Sequence, residues 1–203
     1  MIGHNMIVDN IAYACLTKHC EDGHGDKDII TWINNDLSET QYSYKYFELE
    51  SNKIAQVLQK LDINQADIVG IFLPRSPISV SSFFGIQKCT AMSCILFSTL
   101  GEEALLDRLK DSQVKIVITK KSLARKVLAI KDELPYLQKL LIIDIEEHSD
   151  DFMLSLPKLI FDTENDFTYM RHVNAETPSF LQYTSGSTGK PKGVLHVHDA
   201  LQD

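Results

Sequence analysis

The sequence is poor in the features that mark secreted, fibrous and membrane-embedded chains. Only four cysteines, Cys15, Cys20, Cys89 and Cys94, occur in 203 residues, too few for a disulfide framework. Nine glycines and six prolines exclude collagen-like and low-complexity classes. No apolar run approaches the ~20 residues that a spanning helix needs. The opening Met1-Ile2-Gly3-His4-Asn5 has no basic region leading into an apolar stretch, so no secretory signal is expected. Positive charge is also in deficit: 20 Lys and Arg face 28 Asp and Glu, a formal charge of −8. A dedicated binder of nucleic acid or anionic membrane needs a basic face, so neither partner is expected. A small anionic ligand needs only a local positive spot. These absences predict a cytoplasmic protein of a reducing compartment.

What remains is an ordinary globular composition, 44% hydrophobic and 24% charged. A chain of this length buries roughly 70% of its unfolded surface and needs no staple. Residues 1–62 form a cap-like entry segment: a helix over 8–20, short strands near Ile29–Ile33 and Gln41–Tyr44, and a helix over Lys45–Leu61. From 67 to 145 solid apolar runs alternate with helical spacing. Strands are expected at Ile68–Leu73, Ser93–Phe97, Val114–Thr119 and Leu140–Ile145, and helices at Ile78–Lys88, Thr99–Ser112 and Ser122–Leu134. Thr99 and Glu102 have the spacing of a capping box at the second of these helices. Strands that are apolar throughout, rather than striped, belong to parallel sheets covered on both faces. The predicted class is therefore α/β with a mostly parallel sheet and helices on both faces. Residues 146–176 form an acidic connection. In the stretch from 144 to 166, Asp144, Glu146, Glu147, Asp150, Asp151, Asp162, Glu164 and Asp166 face one Lys158. Their spacing fits no calcium loop, and a solvated connector is the simpler reading.

Residues 177–203 carry the densest chemistry. Tyr183-Thr184-Ser185-Gly186-Ser187-Thr188-Gly189-Lys190-Pro191-Lys192-Gly193-Val194 places three glycines, four hydroxyls and two lysines between two apolar strands, Phe180–Tyr183 and Val194–Val197. No Asp or Glu occurs from Thr177 to His198. Glycine-rich turns let backbone N–H groups converge on an anion, and hydroxyls add donors. Lysine brings a mobile point charge suited to terminal phosphates. The spacing is not that of a Walker loop, because Gly186 and Gly189 are three apart and Pro191 follows Lys190. A plain surface hairpin has a similar composition.

The order Thr184-Ser185-Gly186-Ser187-Thr188-Gly189-Lys190-Pro191-Lys192-Gly193 resembles, over ten residues, the signature loop of the AMP-forming acyl-CoA synthetases and related adenylate-forming enzymes. The resemblance runs back along nearly the whole chain. Asn10, Cys15-Leu16, Lys18-His19, Gly25-Asp26-Lys27 and Trp32 are similar to the entry segment of acetyl-CoA synthetases. Leu73-Pro74-Arg75-Ser76-Pro77, Asp107-Arg108-Leu109 and Lys115–Thr119 resemble later landmarks, and Val194–Ala200 resembles the acetate-activating branch.

The resemblance implies the N-terminal part of the large domain of an acid–CoA ligase. Such enzymes join a carboxylic acid to ATP as an acyl-adenylate and then pass the acyl group to CoA. It implies ATP, Mg²⁺ and CoA as cofactors and a small carboxylic acid as substrate. Thr184, Ser185, Gly186, Ser187, Thr188, Gly189, Lys190, Lys192 and Gly193 would then bind the β- and γ-phosphates, with Thr184 also near a phosphate-bound Mg²⁺. His196 and His198 alternate on one strand, either toward a pocket or as ordinary polar strand residues. Arg75 follows a strand end, where open α/β sheets place ligands; the resemblance favours a structural role for it.

The chain departs from the family pattern at Thr90 and at Cys94-Ile95, where glycine and Gly-Pro are expected. A left-handed backbone without glycine costs about 1 kcal/mol or more. Cys15, His19, Cys20 and His24 match no standard zinc spacing, and buried helical cysteines are the simpler reading; Cys89 and Cys94 likewise read as core rather than redox-active. The adenine-binding segment, hinge, CoA surface and late catalytic lysine of the family would lie beyond residue 203. Three readings stay open: a ligase fragment completed by a separately encoded continuation, a non-catalytic remnant or nucleotide-binding module, and a scaffold without ligand.

Overall fold

A computed structural model describes residues 6–163, 167–184 and 190–201. Strand β1 (Ile7–Asp9) leads into a helical segment over 11–24, widened at Tyr13–Thr17 and Cys20–His24. The helix expected from residue 8 therefore starts three residues later. Residues 7–9 instead pair antiparallel with β9 (His172–Asn174), and Asn10 N donates to Arg171 O at 2.7 Å. β2 (Asp28–Ile33) and β3 (Glu39–Ser43) form a separate hairpin. α1 (Tyr44–Lys60) follows at once, with Ser43 accepting from Tyr46 N at its start.

The main sheet has seven strands in the order β11-β10-β5-β4-β6-β7-β8. Its members are β4 (Ile68–Leu73), β5 (Met92–Phe97), β6 (Ile116–Thr119), β7 (Lys139–Ile142), β8 (Met153–Ser155), β10 (Pro178–Thr184) and β11 (Lys192–Val197). Every neighbouring pair is parallel except β10 with β11. The helices α2 (Pro77–Lys88), α3 (Glu102–Ser112), α4 (Lys121–Ala129) and α5 (Leu156–Phe161) connect them. The chain steps from β4 through α2 to β5 on one side, then through α3 to β6 on the other side of β4.

Each face of the sheet has its own core. On one, Ile54, Val57 and Leu58 of α1 and Ile86 of α2 pack on Val69, Ile71, Ile116 and Ile118, with Leu156 of α5. On the other, Leu105 and Leu109 of α3 and Val127 of α4 pack on Phe72, Leu96, Val117 and Leu140. The predicted two-sided cover is thus present. Burying each of these side chains contributes roughly 1.5–3 kcal/mol. Gly85 lets α1 and α2 meet closely, since a Cβ there would lie 2.7 Å from Ile54 Cγ2.

Three local expectations change. The capping box at Thr99 does not form. Leu100 N donates to Phe97 O in a tight turn, which moves the helix start to Gly101, where no side chain caps it. Glu102 and Glu103 complement the dipole of that first turn instead. The capping box lies on α2, where Ser76 and Ser79 exchange side-chain-to-backbone bonds across Pro77.

The acidic stretch contains β8 and α5, and its carboxylates serve as turn acceptors. Asp150 Oδ1 accepts from Phe152 N and Met153 N, which holds its carboxyl below the usual range. Asp144 Oδ1 accepts from Lys121 N at the start of α4. Finally, Thr90 has φ 53°, the left-handed backbone that a glycine would adopt freely, whereas Cys94 and Ile95 continue β5 without positive φ.

Candidate phosphate-binding hairpin

β10 runs parallel to β5, so Thr184 ends at the carboxyl edge of the sheet, the side where open α/β sheets place ligands. β11 returns antiparallel, pairing Thr184 with Lys192 and Tyr183 with Gly193. Thr184, Lys190 and Lys192 are exposed at this tip. Ser185, Gly186, Ser187, Thr188 and Gly189 lie outside the described residues. The described ends therefore carry one hydroxyl and two lysines on a segment that has no carboxylate from Thr177 to His198. That donor set suits a polyphosphate. For Mg²⁺ these ends offer only the Thr184 hydroxyl, so phosphate oxygens would have to supply the remaining ligands.

Gly193 is explained by close approach. A Cβ there would sit 3.0 Å from Leu181 Cδ1 and 3.4 Å from the Tyr183 ring. Tyr183 is buried on the α3 face, and its hydroxyl donates to Asp111 Oδ2 at 2.6 Å. Burial and that neighbouring carboxylate push its phenol well above the ordinary range. Arg108, one turn earlier on α3, lies 5.7 Å from the same ring. Asp107, Lys110 and Asp111 share a cavity of about 270 Å³ with Lys190 and Pro191.

The two histidines part company. His196 stacks on Phe180 with ring centroids 4.3 Å apart, and Phe180 in turn meets Phe83 edge-on. His198 lies beyond the end of β11, fully buried, and its Nδ1 accepts from Ile11 N at 3.1 Å. Burial pushes its pKa down to about 4, so it is neutral near pH 7. It ties the hairpin to the N-terminal segment. A second tie went unseen in the sequence. Gln87 donates to Ser93 Oγ and Ser179 O and accepts from Ser179 Oγ, and Asn10 Nδ2 donates to Gln87 O. The available signal was an amide just before Lys88, at the buried end of an apolar helix.

Beside the hairpin, a cavity of about 720 Å³ opens over β4 and β5, lined by Arg75, Phe83, Phe84, Ile95 and Phe97 among others. Arg75 is thus a lining residue, and Phe97 is 64% exposed there. The N-terminal Cys and His residues do not assemble: Cys15 and Cys20 are half-buried rather than buried, His19 stacks on Tyr44, and among the described residues no group of three His, Cys, Asp or Glu could hold a metal. Cys89 and Cys94 are buried, which raises both thiols to about 12 and leaves them protonated. Lys88 is buried against Glu48 Oε2 (2.9 Å) and Asn52 Oδ1 (2.6 Å), a satisfied structural pair. Among the described residues, no helix is long and apolar enough to cross a membrane.

The mostly parallel sheet, closed at one edge by an antiparallel hairpin, is the architecture of the adenylate-forming enzymes. Residues 17–202 match the AMP-binding enzyme family, and the chain belongs to it. Among curated relatives, the acetyl-coenzyme A synthetase of Bacillus subtilis is 32% identical over 195 residues, covering 95% of this chain and 33% of the relative. That of Escherichia coli O157:H7 is 30% identical over 203 residues, covering 93% of this chain and 31% of the relative. The chain thus spans about a third of the length of these relatives. Among solved structures, the anthranilate CoA ligase AuaEII in complex with anthranoyl-AMP superposes with a TM-score of 0.80 at 23% identity, covering 93% of this chain and 34% of that one. An acyl-CoA synthetase of Brucella canis gives 0.79 at 19%, covering 98% and 35%. These two show the fold, that of adenylate-forming ligases.

Proposed function

We propose that the chain supplies the phosphate-gripping part of an AMP-forming acid–CoA ligase of the acetyl-CoA synthetase kind, working in the cytoplasm on a short carboxylic acid. The observation that supports this reading is the hairpin tip, where Thr184, Lys190 and Lys192 stand exposed at the carboxyl edge of the sheet. In the reaction a carboxylate oxygen attacks the α-phosphorus of ATP, and the α–β bridging oxygen departs with pyrophosphate. Lys192 and Lys190 would neutralise charge growing on that leaving group, and Thr184 would donate to a phosphate oxygen. Ser185–Gly189 are proposed to add donors to the same phosphates. Bound Mg²⁺ supplies further charge neutralisation, and CoA supplies the thiol that takes the acyl group.

Gripping one end of ATP does not align the acid with the α-phosphorus, an alignment that accounts for roughly 7–11 kcal/mol of barrier lowering. We therefore propose that this chain alone is a nucleotide-binding module and that a C-terminal continuation, separately encoded or not, completes the ligase. The apolar lining left open at Ile95 and Phe97 supports such a partner.

Calorimetric titration with Mg²⁺-ATP tests the reading. Weak binding is expected, and Lys192→Ala should weaken it by about 10- to 100-fold, the worth of one charge-assisted contact. Equal affinity in the two proteins would remove Lys192 from the phosphate site. Acetate-dependent exchange of pyrophosphate into ATP by the 203-residue chain alone, abolished by the same substitution, would show a complete ligase instead.

A further inference from the structure

Asp111 is bonded to the residue that precedes the phosphate motif and lines a cavity with Lys190 and Pro191 of its return leg, without belonging to the motif. It lies in the last turn of α3, where it accepts the Tyr183 hydroxyl at 2.6 Å, and Tyr183 is the residue immediately before Thr184. The same turn faces the return leg across the small cavity lined by Asp107, Lys110, Lys190 and Pro191. The Tyr183 ring is held from other sides as well. Arg108 lies 5.7 Å from it, and Gly193, its cross-strand partner, leaves room that a Cβ would fill at 3.4 Å. Packing alone would be served by phenylalanine. A phenol that donates to a carboxylate forms a short charge-assisted bond with one favoured direction, and that bond fixes the ring in place. Because β10 and β11 pair through Thr184 and Lys192, a fixed Tyr183 also fixes where those two side chains stand.

We propose that Asp111, acting through Tyr183, is a positioning residue for phosphate binding: it sets the end of β10 and thereby the placement of Thr184, Lys190 and Lys192. The proposal rests on the phosphate reading above. Its energetic content is preorganisation, since donors already in place need not be ordered when the ligand arrives.

The test uses the 203-residue chain with Asp111→Ala, Tyr183→Phe and the double variant, and two readouts. Trypsin should cut the Lys192–Gly193 bond several-fold faster in either single variant, and no faster again in the double than in the singles, while the rate of cutting after exposed Lys121 stays unchanged. The dissociation constant for Mg²⁺-ATP should rise about 3- to 10-fold in each single variant, the worth of one hydrogen bond, with no further rise in the double. Unchanged cutting at Lys192 in both single variants overturns the proposal. So does cutting that rises in parallel at Lys121 and Lys192, because Asp111 would then be a general stabiliser. A wild-type chain that binds no Mg²⁺-ATP overturns the phosphate reading. Asp111 would then remain, on faster Lys192 cutting alone, the anchor of the hairpin.

Discussion

The middle of the sheet and its β10–β11 end handle water in opposite ways. Strand β6 is buried at all four positions, and β4 at five of six, because helices cover both faces. In β11, Lys192 through Leu195 are exposed, with Val194 at 40% and Leu195 at 51%. Cohesion comes from apolar burial in the first region. In the second it comes from a few directional bonds, at Asp111, Gln87 and His198. The difference separates two tasks. The proposed phosphate site needs donors that water and ligand can reach, so its segment cannot draw its stability from burial and must be tied to a region that does.

That contrast can be broken most strongly at Phe72, which is fully buried in the α3–α4 core. Phe72→Ala should cost about 3–5 kcal/mol by lost transfer energy and cavity formation, read as a lower denaturant midpoint. A loss under about 1 kcal/mol would show the middle of the sheet to be no more cohesive than its end.

The His198 tie makes the hairpin sensitive to acid. Its folded pKa, about 4, lies below the unfolded value near 6.5, so the unfolded chain binds more protons between those values. Stability is therefore full above pH 6.5 and falls as pH drops toward 4. Between pH 7.5 and pH 5 the wild type should lose about 2 kcal/mol more than His198→Asn, whose amide keeps an acceptor for Ile11 N. Parallel pH profiles for the two proteins would place His198 outside the ties.

Thr90 sits where α2 turns into β5, the strand that joins the two regions. Thr90→Gly relieves about 1–2 kcal/mol of left-handed strain and forfeits roughly 0.8 kcal/mol for a buried methyl group. A net gain of about 0.2–1.2 kcal/mol in unfolding free energy is expected. A loss would mean that the buried hydroxyl, which donates to Cys89 O, outweighs the strain.

The smallest effect is expected at Lys192, exposed at the tip. Lys192→Ala should change stability by less than about 0.5 kcal/mol while weakening Mg²⁺-ATP binding as described above. A larger stability loss would make Lys192 part of the scaffold.

Local chemistry was readable wherever neighbours in the chain decide the outcome. The run Ile68–Leu73 is β4 residue for residue, and Tyr44–Lys60 follows the helical spacing of Phe47, Ile54, Val57 and Leu58. The alternation of such runs announced a parallel sheet with two covered faces, and the ten-residue motif announced the AMP-binding family. Partners distant in sequence were not readable. Asp111 meets Tyr183 across 72 residues, Gln87 meets Ser179 across 92, and His198 meets Ile11 across 187. Nor was the use of the acidic stretch, where Asp150 and Asp144 serve as acceptors for particular backbone N–H groups. Periodicity and motif are properties of adjacent residues, carried by the pitch of a helix or the pleat of a strand. Which buried donor meets which acceptor depends on how whole elements stack, and only the assembled sheet decided that.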